Sequence, residues 1–389
     1  MTLTSRPSSG VGHDRSRRDL SAPWRHLDPV LVVCSLAIAG LGVLMVYSAT
    51  RNGVGIGRTA GRNDHSFLIK QFGFVLIGVV VMAVTASIDY RKYRDWIIPI
   101  YIAMCLMLAL VVSPLGSTTK GAQSRFELAG FQLQPSEVAK PVLILALAAL
   151  FAAWKGDVDV RRLGMALGVA LLPMALIMLQ PDLGTALVFI AITIAIFVAA
   201  GVRGRYLAIL ALVGVLAVVF ILKSDVLATY QKDRLTTFLD PSHDTGGSTY
   251  NVAQSQTTIA NGGPWGKGLF KGPQTQLGFV PEQQTDFIFT VVGEELGFAG
   301  AATLLMLFAI IMWRTWRAAQ LARDQLGTLI CVGVLAMFGF QVFESVGMTM
   351  GIMPVTGIPL PFMSYGGSST LACFVAIGLV LNVHMHRFR

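Results

Sequence analysis

Apolar residues in this chain gather in runs of roughly 17–25, the length needed to cross a bilayer core of about 30 Å as an α-helix. Polar residues collect between the runs. The pattern predicts helices at about 29–50, 66–88, 96–114, 133–154, 164–181, 183–201, 206–222, 287–313, 327–350 and 359–386. One boundary needs an argument. The stretch Gly164–Gly201 has a single charge, Asp182, and as one helix it would measure about 57 Å. It must turn, and Pro181-Asp182 is where a helix breaks. The resulting hairpin gives an expected all-α polytopic membrane fold of ten helices.

Composition agrees with that fold. Of 389 residues, 54% are hydrophobic and only 13% charged, about half the charged fraction of soluble domains. So little charge cannot cover a water-facing surface. Disordered, collagenous and disulfide-scaffold classes are excluded as well. The charges then fix orientation. With the N-terminus inside, the inner segments carry 18 Lys and Arg in 61 positions, against 10 in 104 outside. The positive-inside rule places both termini in the cytoplasm. The net charge of +9 therefore reflects topology, and no nucleic-acid partner is expected. Residues 1–27 read as a disordered basic tail and 28–389 as the membrane domain. Arg17-Arg18 lacks the cleavage pattern of an export signal.

Cys34, Cys105, Cys331 and Cys373 all fall inside predicted helices without metal-ligand spacing and read as packing residues. His384 and His386 read as an exposed helix end. The pairs Gly164/Gly168, Gly293/Gly297 and Gly347/Gly351 read as close helix packing.

One connection is long: residues 223–286, on the expected outer face between helices 7 and 8. A loop of that length is usually functional. Its Val252, Ile259, Trp265, Leu269 and Phe270 are expected to pack against the membrane surface. QPSEVAK (134–140), QPDLGT (180–185) and GIPLPFMSYGGSS (357–369) fall at the same outer ends. An ionisable residue within a span is costly and points to function. Glu137 and Lys140 share a helix face and can pair, and Asp182 approaches from the hairpin. Bracing of the bundle and substrate contact both remain open for these three. Glu294, Glu295 and Glu344 lie deeper and read as structural or regulatory. Gly366-Gly367-Ser368-Ser369 reads as a cavity-lining break or as a helix start capped by Ser364.

In the order QPSE, QPDLGT, TDFIF, PVTGIPLPF and SYGGSS, these motifs resemble the SEDS family, which includes RodA, FtsW and SpoVE. The match runs over about residues 29–386. GPQTQLGFVPEQQTDFIFTVVGEELG (272–297) is more similar to the RodA branch than to FtsW. Gln284, Arg125 and Ser345 depart from the usual pattern. The resemblance implies a peptidoglycan glycosyltransferase of bacterial cell elongation and cell shape. It would sit in the cytoplasmic membrane with its active site outside, polymerise lipid II with inversion, and work with a class B penicillin-binding protein among membrane lipids.

That reaction needs a base for the acceptor hydroxyl and cations for the departing pyrophosphate. On residues alone, Asp286 is equally a base desolvated by the neighbouring FIF run or a helix N-cap. The resemblance decides for the base. Glu282 is a supporting carboxylate. Arg234 is the first pyrophosphate candidate, because a guanidinium binds phosphate bidentately, followed by Lys267 and Lys140. Gln254 and Ser255 are candidates for sugar or amide groups. Thr285 and Ser364, in the TDFIF and SYGGSS motifs, complete the substrate-binding set with Glu137 and Asp182. A divalent cation, Mg²⁺ or Mn²⁺, is a candidate cofactor with no clear ligand set. The competing readings are a flippase for a lipid-linked precursor and a non-catalytic scaffold. Polar clusters confined to one face, and the lack of an inverted repeat, speak against the first.

Overall fold

The computed structural model describes residues 26–51, 65–114, 116–119, 122–128, 131–154, 158–223 and 248–387. Nearly all of the basic tail, and Arg234, lie outside them. The helices are α1 (Pro29–Arg51), α2 (Ser66–Ser87), α3 (Tyr90–Asp95), α4 (Ile97–Val112), α5 (Pro135–Ala153), α6 (Val160–Leu179), α7 (Leu183–Ala199), α8 (Gly204–Lys223), α9 (Ser248–Gly262), α10 (Pro273–Leu277), α11 (Ile288–Gln320), α12 (Gln325–Thr349) and α13 (Gly367–Met385). Seven of them, α1, α2, α5, α6, α11, α12 and α13, are long and apolar enough to cross a membrane, and α4, α7 and the Gly204–Leu216 part of α8 are shorter apolar stretches.

Helix starts follow from local chemistry. Asp89, Asp159, Asp182 and Asp324 each accept a bond from a backbone N–H of the following turn, which supplies donors that a helix leaves unpaired. Pro135 opens α5, where its missing N–H costs nothing. The expected hairpin is present: α6 stops at Leu179 and α7 begins at Leu183.

Helices α5, α12 and α13 form the centre and are buried along most of their length, whereas α2, α4 and α6 turn large apolar side chains outward. The core joins Ile38, Leu143, Ile144, Phe189, Ile196, Phe289, Val334, Phe338, Phe362 and Phe374. Gly78 sits against the Phe374 ring and Gly378 against Thr85, so α2 and α13 approach closely.

At the end of the bundle where the described chain starts and finishes, Asp28 accepts from Arg314 Nε at 2.7 Å and Nη2 at 2.6 Å, tying α1 to α11. Tyr90 donates to Asp324 Oδ2 at 2.9 Å. Burial, reinforced by that bond, pushes the Tyr90 phenol up to about 12, so it stays protonated and the link survives across physiological pH. His384 and His386 are buried here, at 7% and 4% exposure, which corrects the exposed reading. Tyr90 packs edge-on against His386 at 6.2 Å, and Arg387 Nη1 lies 2.8 Å from His384 Nε2. An arginine only donates, so His384 Nε2 accepts.

Four further expectations are corrected. The all-α expectation is corrected in the connection before α5, which carries an antiparallel sheet of β1 (Ser117–Thr119), β2 (Ala122–Leu128) and β3 (Phe131–Leu133) in sequence order, with Ser117 opposite Arg125 and Phe126 opposite Leu133. Within the long connection lie α9 and α10, and two of its residues pack on protein and not on a membrane surface: Ile259 meets Gly293, and Phe270 meets Tyr47 edge-on at 5.6 Å, while Trp265 is 83% exposed. A Cβ at Gly164 or Gly168 would meet nothing within 4 Å, so these glycines do not mark close packing. Finally, 359–366 is irregular and α13 begins only at Gly367.

Candidate functional site

The motif segments meet at the other end of the bundle, where α5, α7 and α13 begin and α12 finishes. Ser136 Oγ and Gln134 Nε2 donate to Asp182 Oδ2 at 3.2 and 3.3 Å. Gln134 N donates to Ser368 Oγ at 2.9 Å, and Ser368 Oγ donates to the Gln132 carbonyl at 3.1 Å. Tyr365 N donates to the Gln284 carbonyl at 2.8 Å. QPSE, QPDLGT, TDF and SYGGSS, dispersed over more than 200 positions, are thereby one hydrogen-bonded surface.

Asp286 lies on a tight turn just before α11. The Glu282 carbonyl accepts from the N–H groups of Thr285, Asp286 and Phe287 at 3.2, 3.2 and 3.4 Å. Glu282 holds φ +55° to make that turn, a conformation that costs a non-glycine residue free energy. Phe287, not Asp286, occupies the N-cap position of α11. The half-buried Asp286 carboxylate faces Gly357: a Cβ built there would lie 3.2 Å from Oδ2. Gly357 adopts φ +78°, and both constraints favour glycine.

The other candidates divide by what their polar atoms already do. Lys140 donates to Glu137 Oε1 at 2.6 Å in a pair that is nearly inaccessible, at 1% and 4% side-chain exposure. Asp182 caps α7 through Thr185 N and Oγ1 at 2.9 and 2.8 Å, so its carboxylate braces three segments. Ser255 donates to the Thr349 carbonyl at 2.7 Å, joining α9 to α12. The Gln254 carbonyl accepts from Thr258 within α9. Thr285 Oγ1 donates back to the Glu282 carbonyl at 3.2 Å. Ser364 accepts from Leu360 N at 2.9 Å and does not cap α13. Asp286, Glu282, Thr285 and Ser364 are thus brought together, with Glu137, Lys140 and Asp182 on adjoining helix starts.

Lys267 is exposed, and its N–H donates to the Glu294 carbonyl at 2.9 Å, two turns along α11 from Asp286. There the helix is broken. Gly297 has φ +66° and ψ −164°, which interrupts the expected single span. The loop 263–268 fills the gap: Lys267 N and Gly268 N donate to the Glu294 and Glu295 carbonyls at 2.9 and 3.0 Å. Phe298 N and Ala299 N donate to the Gly263 and Pro264 carbonyls at 2.9 and 3.0 Å. Backbone groups freed at membrane depth need such partners. Glu294 and Glu295, both at 0% exposure, add side-chain bonds. Glu294 accepts from Asn261, Gln274 N, Thr275 N and Thr275 Oγ1 at 3.2, 2.9, 2.8 and 2.7 Å. Glu295 accepts from Phe270 N at 3.0 Å and from Ser48 Oγ.

Sequence reasoning did not single out Gln71, Ser48 or Gly357. Gln71 is fully buried in α2, donates to the Ser364 carbonyl at 3.3 Å and accepts from Gly366 N at 3.4 Å. A lone polar residue inside an apolar run was the available signal for Gln71 and Ser48. Among the described residues, no group of three or more His, Cys, Asp or Glu is placed to hold a metal ion.

Comparison with known proteins adds to this geometry. A family model described as "Cell cycle protein", covering FtsW, RodA and SpoVE, matches residues 29–389. The chain is 34% identical over 363 residues to the peptidoglycan glycosyltransferase MrdB of Escherichia coli strain K12, covering 93% of this chain and 94% of that protein. It is 36% identical over 360 residues to the stage V sporulation protein E of Bacillus subtilis, covering 92% and 96%. A solved chain from a peptidoglycan synthase complex that coordinates polymerization and crosslinking superimposes with TM-score 0.77 at 33% identity, covering 93% of this chain and 99% of that one. The rod shape determining protein RodA of Thermus thermophilus superimposes with TM-score 0.70 at 29% identity, covering 95% and 100%.

Proposed function

Because the chain belongs to the SEDS family of FtsW, RodA and SpoVE, we propose that it is a peptidoglycan glycosyltransferase that polymerises lipid II, with Asp286 as general base. It acts on the RodA side of the family, in cell elongation. The bonds between motifs support this, since they tie the segment that carries Asp286 to the 357–369 stretch and, through it, to the starts of α5 and α7. Asp286 takes the proton of the acceptor sugar's C4 hydroxyl as its oxygen attacks the donor's anomeric carbon. The lipid pyrophosphate departs from the opposite face, inverting that carbon. A half-buried carboxylate is a better base than a fully hydrated one.

Lys140 is engaged with Glu137, so Arg234 and the exposed Lys267 are assigned to the pyrophosphate. For a divalent cation, this turn offers two carboxylates one turn apart, Glu282 and Asp286. That suits Mg²⁺ or Mn²⁺ shared with substrate phosphates more than a resident metal. Helices α4, α7 and α8 complete ten spans, with both termini in the cytoplasm of a bacterial inner membrane and Asp286 outside. The partner is a class B penicillin-binding protein.

The experiment is glycan synthesis from lipid II in detergent, where flipping has no meaning, by the purified protein with its transpeptidase partner. Polymer from the wild type and none from Asp286→Ala is the expected result. No polymer under any cation condition, from folded and partner-bound protein, overturns it and favours the flippase or scaffold reading.

A further inference from the structure

Glu344 is a buried carboxylate that the proposed chemistry leaves unused. It projects from α12 at 0% exposure, and its Oε1 accepts from Thr356 Oγ1 at 2.9 Å. Oε2 makes no hydrogen bond among the described residues. One hydrogen bond does not offset the burial of a carboxylate within a membrane bundle, so stability does not account for this residue. What it holds is the residue before Gly357, whose main chain faces Asp286.

The same short segment is gripped from a second side. A Cβ at Gly184, in the first turn of α7, would lie 3.2 Å from the Thr356 carbonyl oxygen and 2.7 Å from Ile358 Cγ1. Residues 356–358 therefore rest on α7, are tied to α12 and press against the Asp286 carboxylate. On its other side Asp286 is held by the Glu282 turn and by the Tyr365-to-Gln284 bond.

We infer that Glu344, Thr356 and Gly357 form a seat that sets the orientation of the Asp286 carboxylate, with Glu344 and Gly357 acting as positioning residues. Gly357 admits the carboxylate to the backbone, and Glu344 fixes the height of that backbone through Thr356. The inference rests on the general-base reading of Asp286. A general base must meet its proton within hydrogen-bond reach, and a misplacement of about 1 Å costs up to roughly 100-fold in rate.

The test is steady-state polymerisation with lipid II in the partner-bound protein. Gly357→Ala is expected to lower kcat roughly 10- to 100-fold while leaving KM within about twofold, and to shift the acid limb of the pH–rate profile. Because that variant strains the backbone, two graded pairs accompany it. Thr356→Ser and Glu344→Gln keep the hydrogen bond and retain most activity, whereas Thr356→Val and Glu344→Leu lose kcat in the manner of Gly357→Ala. Wild-type kcat in folded Gly357→Ala, or equal losses within each pair, overturns the seat. Polymer from Asp286→Ala in the same assay overturns instead the general-base reading on which it rests.

Discussion

Lys140 and Glu137 show how far a single pair constrains its surroundings. Both are nearly inaccessible, and Glu137 Oε2 has no hydrogen-bond partner among the described residues. Removing one partner of a buried pair strands the other's charge, at about 3–5 kcal/mol, whereas replacing both with apolar groups is often near neutral. Lys140→Met is therefore expected to lower the thermal midpoint in detergent strongly, and Glu137→Leu/Lys140→Met to recover most of it. A double variant no more stable than Lys140→Met would show that the pair is not the origin of the loss. At this scale the sequence was partly legible. The spacing of Glu137 and Lys140 on one helix foretold their pairing, because helical geometry alone brings them together. Nothing local foretold the contact of Asp286 with Gly357, since the two residues are 71 positions apart and meet only through the packing of α7 and α12.

Elements were legible where one rule acts alone. The Pro181-Asp182 hairpin followed from length and from proline's missing donor. The break at Gly297 escaped notice, because a glycine inside an apolar run is usually tolerated and its signal was a loop 30 residues upstream. Strands β1 and β3 are three residues each, too short for alternation to stand out, and α9 has a polar sequence whose helicity comes from packing on α11 and α12. Gly297→Ala is predicted to destabilise the fold by more than about 1 kcal/mol, since it combines a positive φ with a Cβ driven into the Gly266 backbone. Gly164→Ala, where a Cβ meets nothing, stays within about 0.5 kcal/mol. Thermal unfolding of the two variants side by side checks the contrast, and protease cleavage within 263–272 reports whether the loop has come free. Equal stability in the two would remove the loop from any part in closing the break.

For the whole molecule, hydrophobic runs carried most of the helix layout, because a bilayer imposes them on any chain that crosses it as helices. The terminal end was the exception. A charge-bearing helix end looks solvent-facing in one dimension, yet His384 and His386 are roofed by α3 and bordered by the Asp28–Arg314 clamp. The loop that closes the Gly297 break has a further consequence of the same kind. Its four closing bonds join backbone to backbone, so beyond the glycines that set the loop's path they depend on chain length and hardly on side-chain identity. Surface loops ordinarily tolerate insertions. This one behaves like a strand in a ladder, where slipping by one position mispairs every bond. Lys267→Ala should melt at the wild-type temperature, whatever it does to turnover, while a single glycine inserted between 264 and 267 should lower the midpoint clearly. Outside Gly263, Gly266 and Gly268, which hold positive φ, the loop is free to vary in composition but is fixed in length, and alignments of such chains can be anchored on it by counting residues.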